Sequence, residues 1–187
     1  MDAFPAEGEF LPTDSGILVK FCPLRDFLHV DRSSFDCEDD GVNNFLKNSA
    51  ERCEEQDFSR VFLMLSSENE IVGYYTLSSG TIPLDELPNR FRRGCPQIPV
   101  PSVLIGQFGI DKTFQRRKLS KYLSGDAYRR IRLAYRQRVL AFKAVRVDTQ
   151  TEKAKEYWKK EGFIPFKQSQ NSLFILVNTI LNAFDSG

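Results

Sequence analysis

An α/β fold in a single domain is what the sequence predicts, and three observations carry that prediction. Short apolar segments of strand length recur at 17–21, 60–66, 70–80, 102–111, 141–148 and 172–180. Stretches with apolar residues at helical spacing fall between them, at 39–53, 119–135 and 151–163. The 187 residues are 41% hydrophobic and include 16 Phe, enough for one buried core. No repeat, linker or low-complexity tract interrupts the series, so the domain is placed at 16–183 behind a flexible arm of residues 1–15.

The elements follow in order. The arm, MDAFPAEGEFLPTDSG at its start, has neither the basic n-region nor the apolar run of a signal peptide. No segment approaches the roughly 18 apolar residues of a membrane span, so the chain is expected to be cytoplasmic, with no membrane partner. Ile17, Val19 and Phe21 alternate with Leu18 and Lys20, which predicts a first strand. Asp39 and Asp40 are cap candidates for a helix whose apolar stripe is Val42, Phe45, Leu46, Ala50 and Cys53. RVFLMLS and EIVGYYTLSSG, separated by Ser67, Glu68 and Asn69, read as a hairpin. Residues 81–102 hold Pro83, Pro88, Pro96, Pro99 and Pro101, which excludes a regular strand or long helix and predicts an excursion loop. SVLIGQFGID is nearly continuously apolar, as a strand buried on both faces would be. From Leu119 the apolar residues at 119, 122, 123, 127, 131, 134 and 135 mark one side of a long helix, with Arg129, Arg130, Arg132 and Arg136 on the other. AFKAVRVD is a strand, TEKAKEYWKKEGF a helix ended by Gly162, and SLFILVNTI a last strand, giving the order β-α-β-β-β-α-β-α-β.

The net charge is only +1, but it is unevenly spread. Residues 112–138 carry ten Lys or Arg against one acid, Asp126, while 31–57 carry nine acids against three bases, so the molecule is a charge dipole. Cys22, Cys37, Cys53 and Cys95 include no CxxC pair, and with one histidine, His29, there is no cluster to hold zinc; no metal is expected. A single histidine also leaves triad chemistry little to rest on, and His29 reads as structural.

The stretch DKTFQRRKLSKYL (111–123) sets Arg116, Arg117 and Lys118 where a strand ends and a helix begins, a position suited to a phosphate. The succession of strand, basic turn, long helix, strand, short helix ending in Gly-Phe, and strand resembles the Gcn5-related N-acetyltransferases (GNAT). The resemblance implies a mixed, mostly antiparallel sheet flanked by helices. More narrowly, FDCEDDGVNNFL (35–46), IVGYYTLSSG (71–80), IPVPSVLIGQFGID (98–111) and AKEYWKKEGF (154–163) are similar, in the same order, to segments of the acetyltransferase toxins of type II toxin–antitoxin systems. In that family the turn reads Q/R-x-x-G-x-G/A and wraps the pyrophosphate of acetyl-coenzyme A. The resemblance therefore assigns cofactor binding to Gln115, Arg116, Arg117, Lys118, Leu119 and Ser120, and to Phe108, Gly109 and Ile110, whose backbone would pair with the pantetheine amides. Lys118 stands where the first glycine is expected and Ser120 where the second is.

A second departure lies before Gly162. The toxins carry a tyrosine four residues ahead of this glycine, whose hydroxyl can protonate the departing thiolate. Here that position is Trp158, and Tyr157 is its neighbour; these two are the catalytic candidates. The implied acceptor is the free amine of aminoacyl-tRNA, whose backbone needs basic surface, and Arg90, Arg92, Arg93, Arg129, Arg132 and Arg136 are the candidates for it. The implied partner is a ribbon-helix-helix antitoxin, and a homodimer is compatible with the resemblance. The other reading is a catalytically inactive module that keeps the sheet and binds nucleic acid or a protein; acetylation of a protein amine or small metabolite shares the same fold.

Overall fold

The computed structural model describes residues 8–185. Eight strands form a sheet in the order β1-β2-β3-β4-β5-β6-β8-β7. They are Leu11–Pro12 (β1), Leu18–Pro23 (β2), Arg60–Ser66 (β3), Ile71–Ile82 (β4), Val100–Ile110 (β5), Ala144–Asp148 (β6), Ile164–Pro165 (β7) and Ser172–Leu176 (β8). Packing divides the chain into two compact units, residues 1–78 with 106–129, and residues 79–105 with 130–187; β4 and β5 contribute to both.

In the first unit β2, β3 and β4 are joined by antiparallel register, Phe21 opposite Met64 and Leu63 opposite Tyr74. Alternation along β3 turns Val61, Leu63 and Leu65, all fully buried, onto a core with Leu24, Phe35, Leu46, Ala50 and Tyr74. Each buried Val, Leu or Phe among them contributes about 1.5–3 kcal/mol by leaving water. The helix expected over 39–53 is present as α1 (Asp40–Asn44), a π turn (Phe45–Ser49) and α2 (Ala50–Glu55). Asp39 is its cap, with Oδ1 accepting from the N–H groups of Gly41 and Val42. The expected hairpin turns through Asn69, which adopts φ 61° as asparagine tolerates.

The arm expected over 1–15 lies outside the described residues through position 7. From Gly8 it is ordered by pairing: Gly8 N–H donates to Phe21 O, Leu11 pairs with Val19, and Thr13 N–H donates to Ile17 O. Leu11–Pro12 thus form the edge strand of the sheet, paired with Val19 and Leu18 of β2.

The second unit holds a parallel pair, β5 with β6, from Ser102↔Ala144 to Ile105↔Val147, and the antiparallel pairs β6–β8 and β7–β8. Its core contains Ile82, Leu87, Val100, Ala144, Phe166 and Phe174. Two expectations are corrected here. The proline-rich excursion is shorter than 81–102: β4 runs through Ile82, a 3-10 turn (Leu84–Glu86) and a short helix α3 (Asn89–Arg92) follow, and β5 already begins at Val100. Pro101 is tolerated because it precedes Ser102, the first residue in register with β6, so its missing N–H removes no ladder bond there. The last strand stops at Leu176, and Val177–Asp185 is a helix, α6. Val177 and Ile180, both buried, stand three apart, a helical spacing that a strand reading of SLFILVNTI overlooks. The remaining helices are α4 (Ser120–Arg136) and α5 (Glu152–Lys160). Among the described residues no helix is long and apolar enough to cross a membrane.

Candidate functional site: a left-handed basic turn ahead of α4

The end of β5 leads into the turn. Gly106, Gln107 and Phe108 are half-buried, not enclosed on both faces as the apolar run suggests, while Gly109 and Ile110 are buried. Gly109 has a local reason to lack a side chain: a Cβ there would lie 3.0 Å from Val42 Cγ1 and 3.1 Å from Cys37 Sγ. Opposite it, a Cβ on Gly73 would lie 2.7 Å from the carbonyl oxygen of Gly109. The close approach that glycine allows is therefore filled by the chain itself, by Cys37 and Val42 on one side and by β4 on the other. Burial pushes the Cys37 thiol up to about 11, so it stays protonated at neutral pH and acts as packing.

Asp111 then caps a 3-10 turn, Lys112–Phe114, its Oδ1 accepting from Thr113 N–H at 2.9 Å and Thr113 Oγ1 at 2.6 Å. Gln115 follows in an extended conformation, and Arg116 and Lys118 adopt φ 63° and 58°. Lys118, in the position of the family's glycine, thus has the left-handed backbone that glycine would take. The cost for a residue with a Cβ is about 1–2 kcal/mol at each position, and such strain persists only where the surroundings over-determine it. Residues of alternating backbone hand turn successive N–H groups into a concavity for an anion, and α4, whose N-terminal dipole favours negative charge, begins two residues later. Arg116, Arg117 and Lys118 are exposed, and the Arg117 guanidinium lies 6.0 Å from the Phe114 ring. Leu119 is buried and anchors the start of α4.

Beside this turn sits a carboxylate that sequence reading passed over. Asp14 forms an ion pair with Lys121 and accepts from Tyr122 Oη at 2.6 Å, while its N–H donates to the same hydroxyl at 2.8 Å. Hydrogen bonds from Lys121 and then Tyr122, with the charge of Lys118 farther off, hold the Asp14 carboxyl below its ordinary range. The signal was the TDSG turn, with Gly16 at φ 78°.

The catalytic candidates lie in the second unit. Trp158 is buried and its ring packs on Phe163 at 5.0 Å. Gly162, at φ 90°, ends α5; its N–H donates to Lys159 O and that of Phe163 to Trp158 O. These bonds form a Schellman cap, and the Trp158–Phe163 contact is the apolar clasp that accompanies it. Trp158 is accounted for by packing. Tyr157 is half-buried, its ring 5.2 Å from Trp158.

The arginines are not one uniform face. Arg129 is half-buried and bonded to Asp126, which is fully buried and also accepts from Tyr75 Oη at 2.6 Å. Its guanidinium is thus paired with a buried carboxylate while its side chain stays partly exposed. Arg90 stacks on Phe91 at 4.7 Å, Arg92 is half-buried with Asn89 Oδ1 at 3.5 Å, and Arg93 is exposed. On α4, Arg132 is half-buried and Arg136 exposed. His29 is exposed on a loop with Phe27 6.0 Å away.

No family model matches the chain. It is 32% identical over 97 residues to a tRNA-acetylating toxin of Mycobacterium tuberculosis, a match that covers 52% of this chain and 57% of that protein. A probable toxin TacT of Sinorhizobium fredii is 26% identical over 157 residues, 80% of this chain and 87% of the relative. The solved structure of AtaT complexed with acetyl-methionyl-tRNAfMet superposes with a TM-score of 0.80 at 26% identity, covering 89% of this chain and 99% of that one. The mixed sheet and these likenesses give the chain the Gcn5-related N-acetyltransferase fold, on a frame similar to that of the tRNA-acetylating toxins.

Proposed function

We propose that the protein is an acetyl-CoA-dependent N-acetyltransferase that acts as a toxin, transferring acetyl to the free amine of aminoacyl-tRNA in the cytoplasm and so blocking translation. The observation that carries this reading is the left-handed backbone of Arg116 and Lys118 ahead of α4, an anion-binding conformation kept at the expense of strain. The turn fits the cofactor's pyrophosphate, which would be held by the N–H groups of 116–120 with the cations of 116–118 and the Gln115 side chain beside them; its pantetheine would pair with the backbone of Phe108, Gly109 and Ile110, as the resemblance implies. Acetyl-CoA supplies a thioester already activated toward amines. The protein's part is to hold that ester against the acceptor, where proximity provides most of the rate, and the Tyr157 hydroxyl is the group that would protonate the departing sulfur. Arg90, Arg92, Arg93, Arg129, Arg132 and Arg136 would contact RNA phosphates. A small ribbon-helix-helix antitoxin would hold the enzyme in check.

The experiment uses labelled acetyl-CoA and a mixture of charged tRNAs. Label is expected in the RNA fraction, lost when the aminoacyl ester is hydrolysed beforehand. Cofactor binding by calorimetry with no labelled RNA would reject the acceptor while leaving the donor in place. One observation favours a second reading, the non-catalytic module: Trp158 is spent on the cap of α5 and offers no acid. Absence of any coenzyme A binding would select it.

A further inference from the structure

The FDCEDDGVNNFL segment has so far only a likeness, and the structure gives it work. Asp36 engages both backbone groups and both carboxylate oxygens. Its N–H donates to Asp111 Oδ2 at 2.8 Å and its carbonyl accepts from Lys112 N–H at 2.7 Å. Its Oδ2 pairs with Lys112 Nζ at 2.9 Å, and its Oδ1 accepts from Asn43 Nδ2 and Glu38 N–H, each at 2.9 Å. Asn43 Oδ1 in turn accepts from Cys37 N–H at 2.8 Å. Gln115 Nε2 reaches Cys37 O at 3.3 Å and Ile110 O at 3.2 Å. The segment therefore fastens residues 111, 112 and 115, and the next residue, Arg116, is the first of the left-handed pair.

This arrangement answers why a strained turn persists without glycine. A left-handed Arg116 and Lys118 would relax if their flank were free to move, and a relaxed turn no longer directs its N–H groups at one point. Hydrogen bonds from Lys112 first, then from Glu38 N–H and Asn43, hold the Asp36 carboxyl well below the usual carboxylate range, so it is ionised whenever the protein is folded at neutral pH. The exposed Lys112 ion pair alone is worth little; the role comes from the joint engagement of backbone and side chain.

We infer that Asp36 is a positioning residue for the pyrophosphate turn, acting through Asp111 and Lys112, beside the Gln115 bond to Cys37, to hold Arg116 and Lys118 in their left-handed conformation before a ligand arrives. The inference rests on the proposed cofactor reading and adds a device to it: the acidic segment sets affinity for a dianionic ligand it does not touch. Pre-organisation raises affinity by removing the ordering cost from the binding step, so loss of the fastening should appear in ligand affinity more than in global stability.

The test measures coenzyme A affinity by calorimetry for wild type, Asp36→Asn and Asp36→Ala, with thermal melting of each. The Asn variant keeps an acceptor for Glu38 N–H but loses the ion pair; a fall of about threefold is expected for it and about tenfold for Ala, with little change in melting. Equal affinity in all three would overturn the inference. Amide hydrogen exchange reads the same fastening without any ligand: Asp36→Ala should speed exchange at 112–119 and leave β3 and β4 unchanged. If wild type binds no coenzyme A, the cofactor reading falls; if exchange at 112–119 is unaltered by Asp36→Ala, the positioning role falls.

Discussion

Two segments of this chain depart from the pattern of its superfamily, and they depart differently. Ahead of α4, Lys118 replaces a glycine, yet the backbone keeps φ 58°, in the region a glycine would occupy. Near the end of α5, Trp158 replaces a tyrosine, and its ring is turned to the apolar clasp of the helix cap. In the proposed reading the first position would serve through its main chain, so a different side chain is tolerated despite the strain. The second serves through a side-chain hydroxyl, which an indole cannot supply. A function carried by backbone geometry survives substitution more readily than one carried by a functional group.

The largest effect should come from the α5 end. Trp158→Ala removes a buried ring and the clasp of the Schellman cap, and should destabilise by about 3–5 kcal/mol, measured as a fall in urea midpoint. Trp158→Tyr should cost less and tests the comparison itself. If the hydroxyl is what this position lacks, acetyl transfer to charged tRNA should rise with KM for acetyl-CoA unchanged. No gain in rate would leave Tyr157 as the acid, and Tyr157→Phe would then have to lower kcat.

Next comes the charge of the turn. Arg117→Glu with Lys118→Glu reverses two cations beside the expected anion. A hydrogen bond between charged groups is worth about 1.5–3 kcal/mol; both side chains are exposed, so screening cuts that, and a loss of tenfold to a hundredfold in coenzyme A affinity is expected. The loss should shrink in high salt. Unchanged affinity would mean that the phosphates are held elsewhere.

The difference between these two segments also explains what could be read in the sequence. The hairpin, the Asp39 cap and the two buried stripes were legible because each depends on residues close in the chain. Lys118 at positive φ was not legible: local preference argues against it, and what sustains it is fastening by Asp36 and Gln115, which are 82 and 3 residues away along the chain. The Asp14 clamp on Lys121 and Tyr122 is likewise a contact between distant segments. The bond from Arg129 to Asp126, fully buried one turn earlier, is equally beyond what a helical wheel shows. The strand expected through residue 180 failed where the apolar period changed from two to three or four at Val177.

Smaller effects separate strain from charge at position 118. Lys118→Gly relieves about 1–2 kcal/mol of left-handed strain but returns about 0.4–1 kcal/mol of freedom to the unfolded chain. The net should be a stabilisation between zero and about 1.6 kcal/mol, with coenzyme A affinity changed by no more than about threefold. Lys118→Ala keeps the strain and loses the charge, so it should melt like wild type while binding as weakly as the glycine variant. If Lys118→Gly instead strengthens binding sharply, the lysine obstructs the phosphate, and the backbone has not preserved the site.

The smallest expected effect concerns the other flank of the turn. Asp14 is exposed and its carboxyl is held below its ordinary value, chiefly by Lys121 and then by Tyr122. A carboxyl whose folded pKa is depressed contributes stability that is complete above the unfolded value, about 3.9, and is lost as the pH falls through the folded value. Asp14→Asn should therefore melt slightly below wild type at neutral pH and low salt, and the gap should close on acidification below about pH 4 and on adding salt. Lys121, whose pKa is raised by the same carboxylate, stays charged throughout that range and does not alter the sign. Because Asp14 holds the first turn of α4 and Asp36 holds the approach to it, the two variants should differ in kind. Asp14→Asn should change coenzyme A affinity less than Asp36→Ala does, since it leaves Asp111, Lys112 and Gln115 fastened. Affinity that instead depends more on Asp14 would move the origin of the left-handed turn from the β5 side to the helix side.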